Sequence, residues 1–307
     1  MKPVRSLLFV PGHKADWIDK AHRSEADGII IDLEDSVPEA DKQLARENAR
    51  AAIERFGEVR TIVVRPNALD TSHCGADVAA VAVAGLDALL LPKIYDRDDI
   101  LRFDGIITAA ELQNGTSRGA VGVIPSLETA KSLVNVHEIL RGPRVVGVMG
   151  AAAKNADISR EVGFSWTPEG LETLYLRSRA VLAARAAGLN VILLGLWQEI
   201  HDLEGLRVFA EENARLGFTG QVLIHPSHAA AANAAYGPTR EQLAYYERLV
   251  AAFEAGTAAG HGAVLFEGEH IDLAHAQHAR QLIALAADTT QDARTTQDSD
   301  STDKEYP

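Results

Sequence analysis

Short apolar runs recur eight times along the chain, at 4–10, 28–33, 61–64, 88–91, 120–124, 145–149, 190–194 and 221–224. Between them lie stretches such as 39–56, 129–140, 167–187 and 203–216, with apolar residues at three- and four-residue spacing and charges on the other face. A strand that is apolar on both faces is buried within a parallel sheet, and strand alternating with helix eight times over is the pattern of an α/β fold of the (β/α)8 TIM-barrel type. A doubly wound open sheet is the alternative. No Gly-x-Gly-x-x-Gly follows the first run, which weakens a dinucleotide-binding version of that alternative.

The chain has 307 residues, more than the roughly 250 of a typical barrel, and does not stop at the eighth run. Residues 238–255 read as a helix with Thr239 at its N-cap, 260–272 as a turn-rich excursion containing a short strand, and 275–287 as another helix. The last stretch is rich in Thr, Asp, Gln and Ser and almost without apolar residues, so it is expected to be disordered. The reading is a catalytic barrel over 1–237, a C-terminal helical and lid extension over 238–287, and a disordered tail over 288–307.

A net charge of −13 gives no long-range field for phosphate backbones, so nucleic-acid binding is not expected. A local cluster of Arg and Lys could still bind an anionic substrate. The single cysteine, Cys74, excludes an intramolecular disulfide and a Cys-based metal cluster, as in a reducing compartment. The apolar stretch 7–10 is far shorter than a signal-peptide core, and no run reaches about 18 apolar residues without charges. These features predict a soluble, cytoplasmic protein with no membrane association.

Barrels place their chemistry at the C-terminal ends of the strands. Those ends carry Pro11-Gly12-His13, Glu34-Asp35, Arg65-Pro66-Asn67, Pro92-Lys93, Glu128, the segment 150–157, Trp197 and His225-Pro226. Oxygen ligands gathered without cysteine favour Mg²⁺, with Mn²⁺ as the alternative, over zinc. Taken singly, Glu128 and Asp157 could equally cap the helices that follow them. Arg65, directly after a buried strand, needs a partner: either a strand-end acid or the carboxylate or thioester oxygen of a substrate. Lys93 could form a Schiff base, but beside strand-end acids it is expected to stay protonated in an ion pair. His225 could be a structural histidine. No His-Glu-x-x-His or Gly-x-Ser-x-Gly pattern appears, which disfavours a zinc protease and an α/β-hydrolase.

Six motifs occur in order: Arg5-Ser6-Leu7-Leu8-Phe9-Val10-Pro11-Gly12, Asp32-Leu33-Glu34-Asp35-Ser36-Val37-Pro38, Val64-Arg65-Pro66-Asn67, Leu91-Pro92-Lys93, Leu127-Glu128-Thr129-Ala130 and Ile224-His225-Pro226. Together they resemble the HpcH/HpaI aldolase and citrate lyase β-subunit family, in its CoA-ester lyase branch, over residues 5–287. The resemblance implies a Mg²⁺-dependent barrel with Glu128 and Asp157 as metal ligands, Arg65 on the thioester enolate, and Glu34 and Asp35 orienting metal-bound water. It places Arg5, Phe9, Lys14, Lys42 and Arg46 against the CoA nucleotide. It also implies a homotrimer or hexamer in which Asp272 of one copy closes a neighbour's site as general acid or base; the alternative for Asp272 is a cap of the helix that follows. Three departures bear on the site. The link 151–156 is longer than usual, Gly195-Leu196-Trp197-Gln198 replaces an Asp and Tyr at the acyl pocket, and His228 replaces a glutamine. The implied activity is cleavage of malyl-CoA or citramalyl-CoA to acetyl-CoA and a 2-oxoacid. Alternatives are a malyl-CoA thioesterase, a class II-type 2-oxoacid aldolase, and a non-catalytic acyl-CoA-binding or complex subunit.

Overall fold

The computed structural model describes residues 3–150, 154, 156–277, 279–280, 282–284 and 286. The expected tail and most of the link 151–156 lie outside the described residues. Eight parallel strands close into a barrel among the described residues: β1 (Ser6–Pro11), β2 (Gly28–Asp32), β3 (Thr61–Arg65), β4 (Ala88–Leu91), β5 (Gly122–Leu127), β6 (Val148–Gly150), β7 (Ile192–Leu194) and β8 (Gly220–Leu223), with β8 pairing back onto β1. The TIM barrel read from the alternation is therefore the fold, and the open-sheet alternative falls.

The helices are α1 (Ala15–His22), α2 (Lys42–Phe56), α3 (Cys74–Val81), α4 (Arg97–Gln113), α5 (Ala130–Val134), α6 (Val136–Leu140), α7 (Asp157–Val162), α8 (Leu171–Ala186), α9 (Leu203–Leu216) and α10 (Ala229–Tyr236). Alternate strand residues separate two apolar layers, as a period of two requires. Leu7, Ile30, Val63, Leu90, Ile124, Leu193 and Val222 fill the barrel interior. Leu8, Ile29, Ile31, Ile62, Leu89 and Val123 pack outward against the helices.

Two elements of the barrel differ from the sequence reading. The fifth run was expected to end at Ile124, before Pro125, yet β5 continues to Leu127, with Pro125 paired in register to Leu91. The strand loses one backbone donor there and keeps its course, which carries Ser126 and Glu128 to the mouth. The single helix expected over 129–140 is two, α5 and α6, broken at Asn135, whose side chain donates to the Tyr95 carbonyl at 3.0 Å.

The chain divides into two compact units, the second beginning at Gly237. In the second, α11 (Arg240–Ala258) starts with a capping box between Thr239 and Gln242. The segment 260–272 holds two strands, not one: β9 (Ala263–Phe266) and β10 (Glu269–Asp272) form a hairpin through Glu267 and Gly268, whose φ values of 49° and 89° suit a two-residue turn matched to strand twist. Leu249, Phe253 and Ile271 form the core of this unit.

Gly28 marks the tightest approach between strands. A Cβ there would stand 2.7 Å from the Thr61 carbonyl oxygen and 2.7 Å from a Leu7 methyl. Gly28→Ala should therefore lower unfolding free energy by about 1–3 kcal/mol, the range for overpacking a dense core, read as a shifted urea midpoint at unchanged slope.

Candidate active site

Asp32 and Arg65 end neighbouring strands and are paired in register. Arg65 Nε donates to Asp32 Oδ1 at 2.7 Å and Nη2 to Oδ2 at 2.8 Å, a bidentate fork. Asp32 also accepts from the Glu34 and Ser36 amides and the Ser36 hydroxyl. Burial works against the Asp32 charge, but Arg65 and these donors outweigh it and hold its pKa below the ordinary carboxylate value. The fork uses the Nε edge of the guanidinium. Nη1 is left 3.4 Å from Glu34 and 3.6 Å from Asp35, without a hydrogen bond among the described residues. The guanidinium also lies over the Phe9 ring, 5.1 Å from its centroid.

Glu128 follows β5. Its Oε1 accepts from the Lys93 amide at 2.6 Å and its Oε2 from the Ser126 hydroxyl at 3.1 Å. Burial raises its pKa, and Asp157 nearby adds to the rise. Asp157 opens α7, half-exposed and paired with Arg160. Burial pushes Glu34 up to about 7, with Asp35 and Glu128 adding, despite Arg65 and Lys93. Phe9, Asp35, Arg65, Glu128, Asp157 and His225 all line one cavity of about 750 Å³ at the barrel mouth. Basic and acidic groups from five parts of the chain thus converge on one concave site, with the Phe9 ring beside them.

The donor set suits a hard cation. Among the described residues no three His, Cys, Asp or Glu side chains gather into a complete cage. Two carboxylates, Glu128 and Asp157, do face the cavity. Mg²⁺ is commonly held by one or two carboxylates, its other positions filled by water and substrate oxygens.

The structure separates the other sequence-expected residues. Arg5 precedes β1 and so lies at the opposite end of the barrel from the cavity, where it forks onto Asp27 at 2.7 and 2.9 Å. The structure does not bring it together with the cavity residues. Lys42 is buried, and its ammonium donates to the Leu33 and Glu34 carbonyls and to Asn67 Oδ1 at 2.7–2.8 Å. Those three bonds use all its hydrogens, leaving none for a phosphate. Arg46 pairs with buried Asp77, which also accepts from Asn67. Both basic residues brace the loops behind the mouth. Lys14 is exposed just before α1 and outside the cavity lining.

Trp197, expected at the acyl pocket, is buried against Trp166 and Phe209 with its indole N–H on the Asp202 carbonyl; its neighbours Leu196 and Gln198 line the cavity instead. Trp17 and Lys20 on α1 also line it, and sequence reasoning missed both. The structure supplies the signal the sequence lacks: Trp17 is a large aromatic left more than half exposed on α1.

Lys93 stands 3.3 Å from Glu34, and that acid together with Asp35 and Glu128 keeps its pKa raised despite partial burial, as the ion-pair reading expected. The Schiff-base role finds no support in a raised lysine pKa. The Cys74 thiol is buried and pushed up to about 11, unsuited to a nucleophile. Asp272 accepts from the Ala274 and His275 amides and pairs with His275 Nδ1 at 2.7 Å, which is the cap geometry weighed as its alternative. Among the described residues no helix is long and apolar enough to cross a membrane.

These features define an α/β barrel whose mouth sets one fixed arginine against strand-end carboxylates. The chain belongs to the HpcH/HpaI aldolase/citrate lyase family, whose model matches residues 5–226. It is 34% identical to a (3S)-malyl-CoA thioesterase of Cereibacter sphaeroides over 92% of this chain and 95% of that one. It is 30% identical to the citrate lyase subunit beta of Escherichia coli K12, over 92% and 93%. Among solved structures it is similar to Mycobacterium tuberculosis CitE in complex with magnesium, acetoacetate and coenzyme A, with a TM-score of 0.69, 30% identity, and 93% and 98% of the two chains covered. The family read from the six motifs is the family found.

Asp32→Asn should destabilise the protein by about 3–5 kcal/mol at neutral pH, because it leaves Arg65 buried with half its fork unmatched. The folded pKa of Asp32 is depressed, so its contribution is present above the unfolded value of about 3.9 and is lost as pH falls through the lower folded value. Denaturation midpoints of parent and variant should therefore converge in acid and diverge towards neutrality.

Proposed function

We propose that this protein is a Mg²⁺-dependent CoA-ester lyase that cleaves a 3-hydroxyacyl-CoA of the malyl-CoA or citramalyl-CoA type by retro-Claisen chemistry. The observation that supports this most is Arg65, held by Asp32 along its Nε edge with Nη1 left without a hydrogen bond among the described residues, lining the cavity that Glu128 and Asp157 also line. Lyases of this kind must accept negative charge on a thioester oxygen, and a preorganised donor at that point is where an enzyme gains most.

Glu128 and Asp157 would hold Mg²⁺, which supplies Lewis-acid polarisation of the substrate hydroxyl and carboxylate. As the carbon–carbon bond breaks, its electron pair moves towards the thioester oxygen, where Arg65 donates. The hydroxyl proton leaves to solvent, a 2-oxoacid departs, and a proton added to the enolate carbon gives acetyl-CoA. Asp272 of a neighbouring copy in a trimer or hexamer is the acid–base group at that carbon, passing to it a proton drawn from solvent. Phe9, Trp17 and Lys20 offer an apolar wall and a cation for the CoA arm along α1. Glu34 lies behind Arg65 rather than in the cavity lining, and Asp35 is the better placed of the two to reach water there.

A second reading is thioester hydrolysis, favoured by the 34% identity to (3S)-malyl-CoA thioesterases. Both readings are tested by incubating the purified chain with malyl-CoA and citramalyl-CoA, with Mg²⁺ or EDTA, beside Asp157→Asn. Acetyl-CoA plus oxoacid, reduced at least about 100-fold by EDTA and in the variant, is the expected result. Free CoA with malate and no acetyl-CoA would make it a hydrolase. No turnover of either ester would overturn both readings and leave a binding or complex subunit.

A further inference from the structure

Lys93 has a backbone φ of 50°, in the left-handed region that a side chain with a Cβ adopts at a cost. Strain of this kind persists where surrounding structure enforces it, often at functional sites. Here the unusual backbone sends the Lys93 amide to Glu128 Oε1 at 2.6 Å, while the ammonium stands 3.3 Å from Glu34 Oε1. Glu34 Oε1 is buried and has no hydrogen-bond partner among the described residues, so the ammonium opposes it as a charge and not through an aligned bond.

The other oxygen of Glu34 is 3.4 Å from Arg65 Nη1. A buried carboxylate facing a free guanidinium edge would ordinarily close to a charge-assisted bond of about 2.7–2.9 Å. That closure would occupy the edge the proposed chemistry needs. Glu34 is instead shared between two cations and bonds tightly to neither. Arg65 lines the cavity and Glu34 does not; Lys93 lines a second cavity with Asp70 and Tyr95.

We infer that Lys93 is a positioning residue: its ammonium holds Glu34 off Arg65, so that Nη1 stays open to the oxygen on which negative charge develops. The inference rests on the role proposed for Arg65 and adds a requirement that the family reading does not contain. Its two halves are separable. The amide seats Glu128 whatever the side chain, and only the ammonium restrains Glu34.

Oxalate, a small planar dianion, probes the open edge without turnover. By calorimetry in the presence of Mg²⁺, Lys93→Met should weaken oxalate binding about tenfold, and Lys93→Arg should restore it to within about threefold. Glu34→Gln added to Lys93→Met should recover most of the loss, because the carboxylate that closes on Arg65 is gone. Lys93→Gly keeps the amide and relieves the backbone, so it should match Lys93→Met in oxalate binding yet melt about 2 °C higher. In ester turnover the Lys93→Met loss should fall on kcat, with KM within about threefold. Oxalate binding within twofold of the parent in Lys93→Met, or a further loss in the double variant, overturns the inference. A parent that binds oxalate but turns over neither ester defeats the proposed function and leaves the Lys93 measurement readable.

Discussion

The bidentate bond between Asp32 and Arg65 is the constraint around which the mouth is arranged. A guanidinium at the end of a buried strand is costly unless its donors are matched, and a single carboxylate in register on the next strand matches one whole edge. That geometry has a second consequence. Because Nε and Nη2 are committed to Asp32, the direction of Nη1 is fixed by the barrel itself and not by a flexible side chain. A donor held this way needs no reorganisation when charge appears in front of it.

Behind this pair lies a layer of polar residues that never reaches the cavity. Lys42 ties the carbonyls of Leu33 and Glu34 to Asn67, Asn67 reaches Asp77, and Asp77 accepts from Arg46. Lys42, Asp77 and Arg46 each find a partner in this relay, which is what allows a polar network in a packed interior. Its effect is to join the β2 and β3 loops, the two that carry Glu34, Asp35 and Arg65. Positioning therefore comes from residues that look, in the sequence, like ligands for phosphate.

An acidic chain can hold such a site because charge matters locally. The excess of carboxylates repels anions at long range, yet the mouth brings Arg65 and Lys20 to one concave surface whose walls include Leu8, Val10 and Met149. Low dielectric surroundings strengthen these few interactions relative to the many screened ones outside. The same burial raises Glu34, behind Arg65, and Glu128, which lines the space where a divalent cation would offset its charge.

The amino-acid order alone determined the barrel, since eight doubly apolar runs separated by amphipathic stretches have few other ways to bury both faces. It also placed Arg65 and Glu128 at strand ends, because the residue after a buried run in a parallel strand emerges at the catalytic face. What the order could not decide was direction and partnership. Arg5 lies in the same apolar run as Phe9, but at the far end of the strand. Trp197 follows a strand, but its ring turns into the helix layer and leaves Leu196 and Gln198 to face the cavity. Lys42 and Arg46 became braces only when the β2 and β3 loops met their hydrogens. Whether a polar side chain faces a ligand or a neighbour depends on distances between segments far apart in sequence, and only closure of the barrel sets those distances.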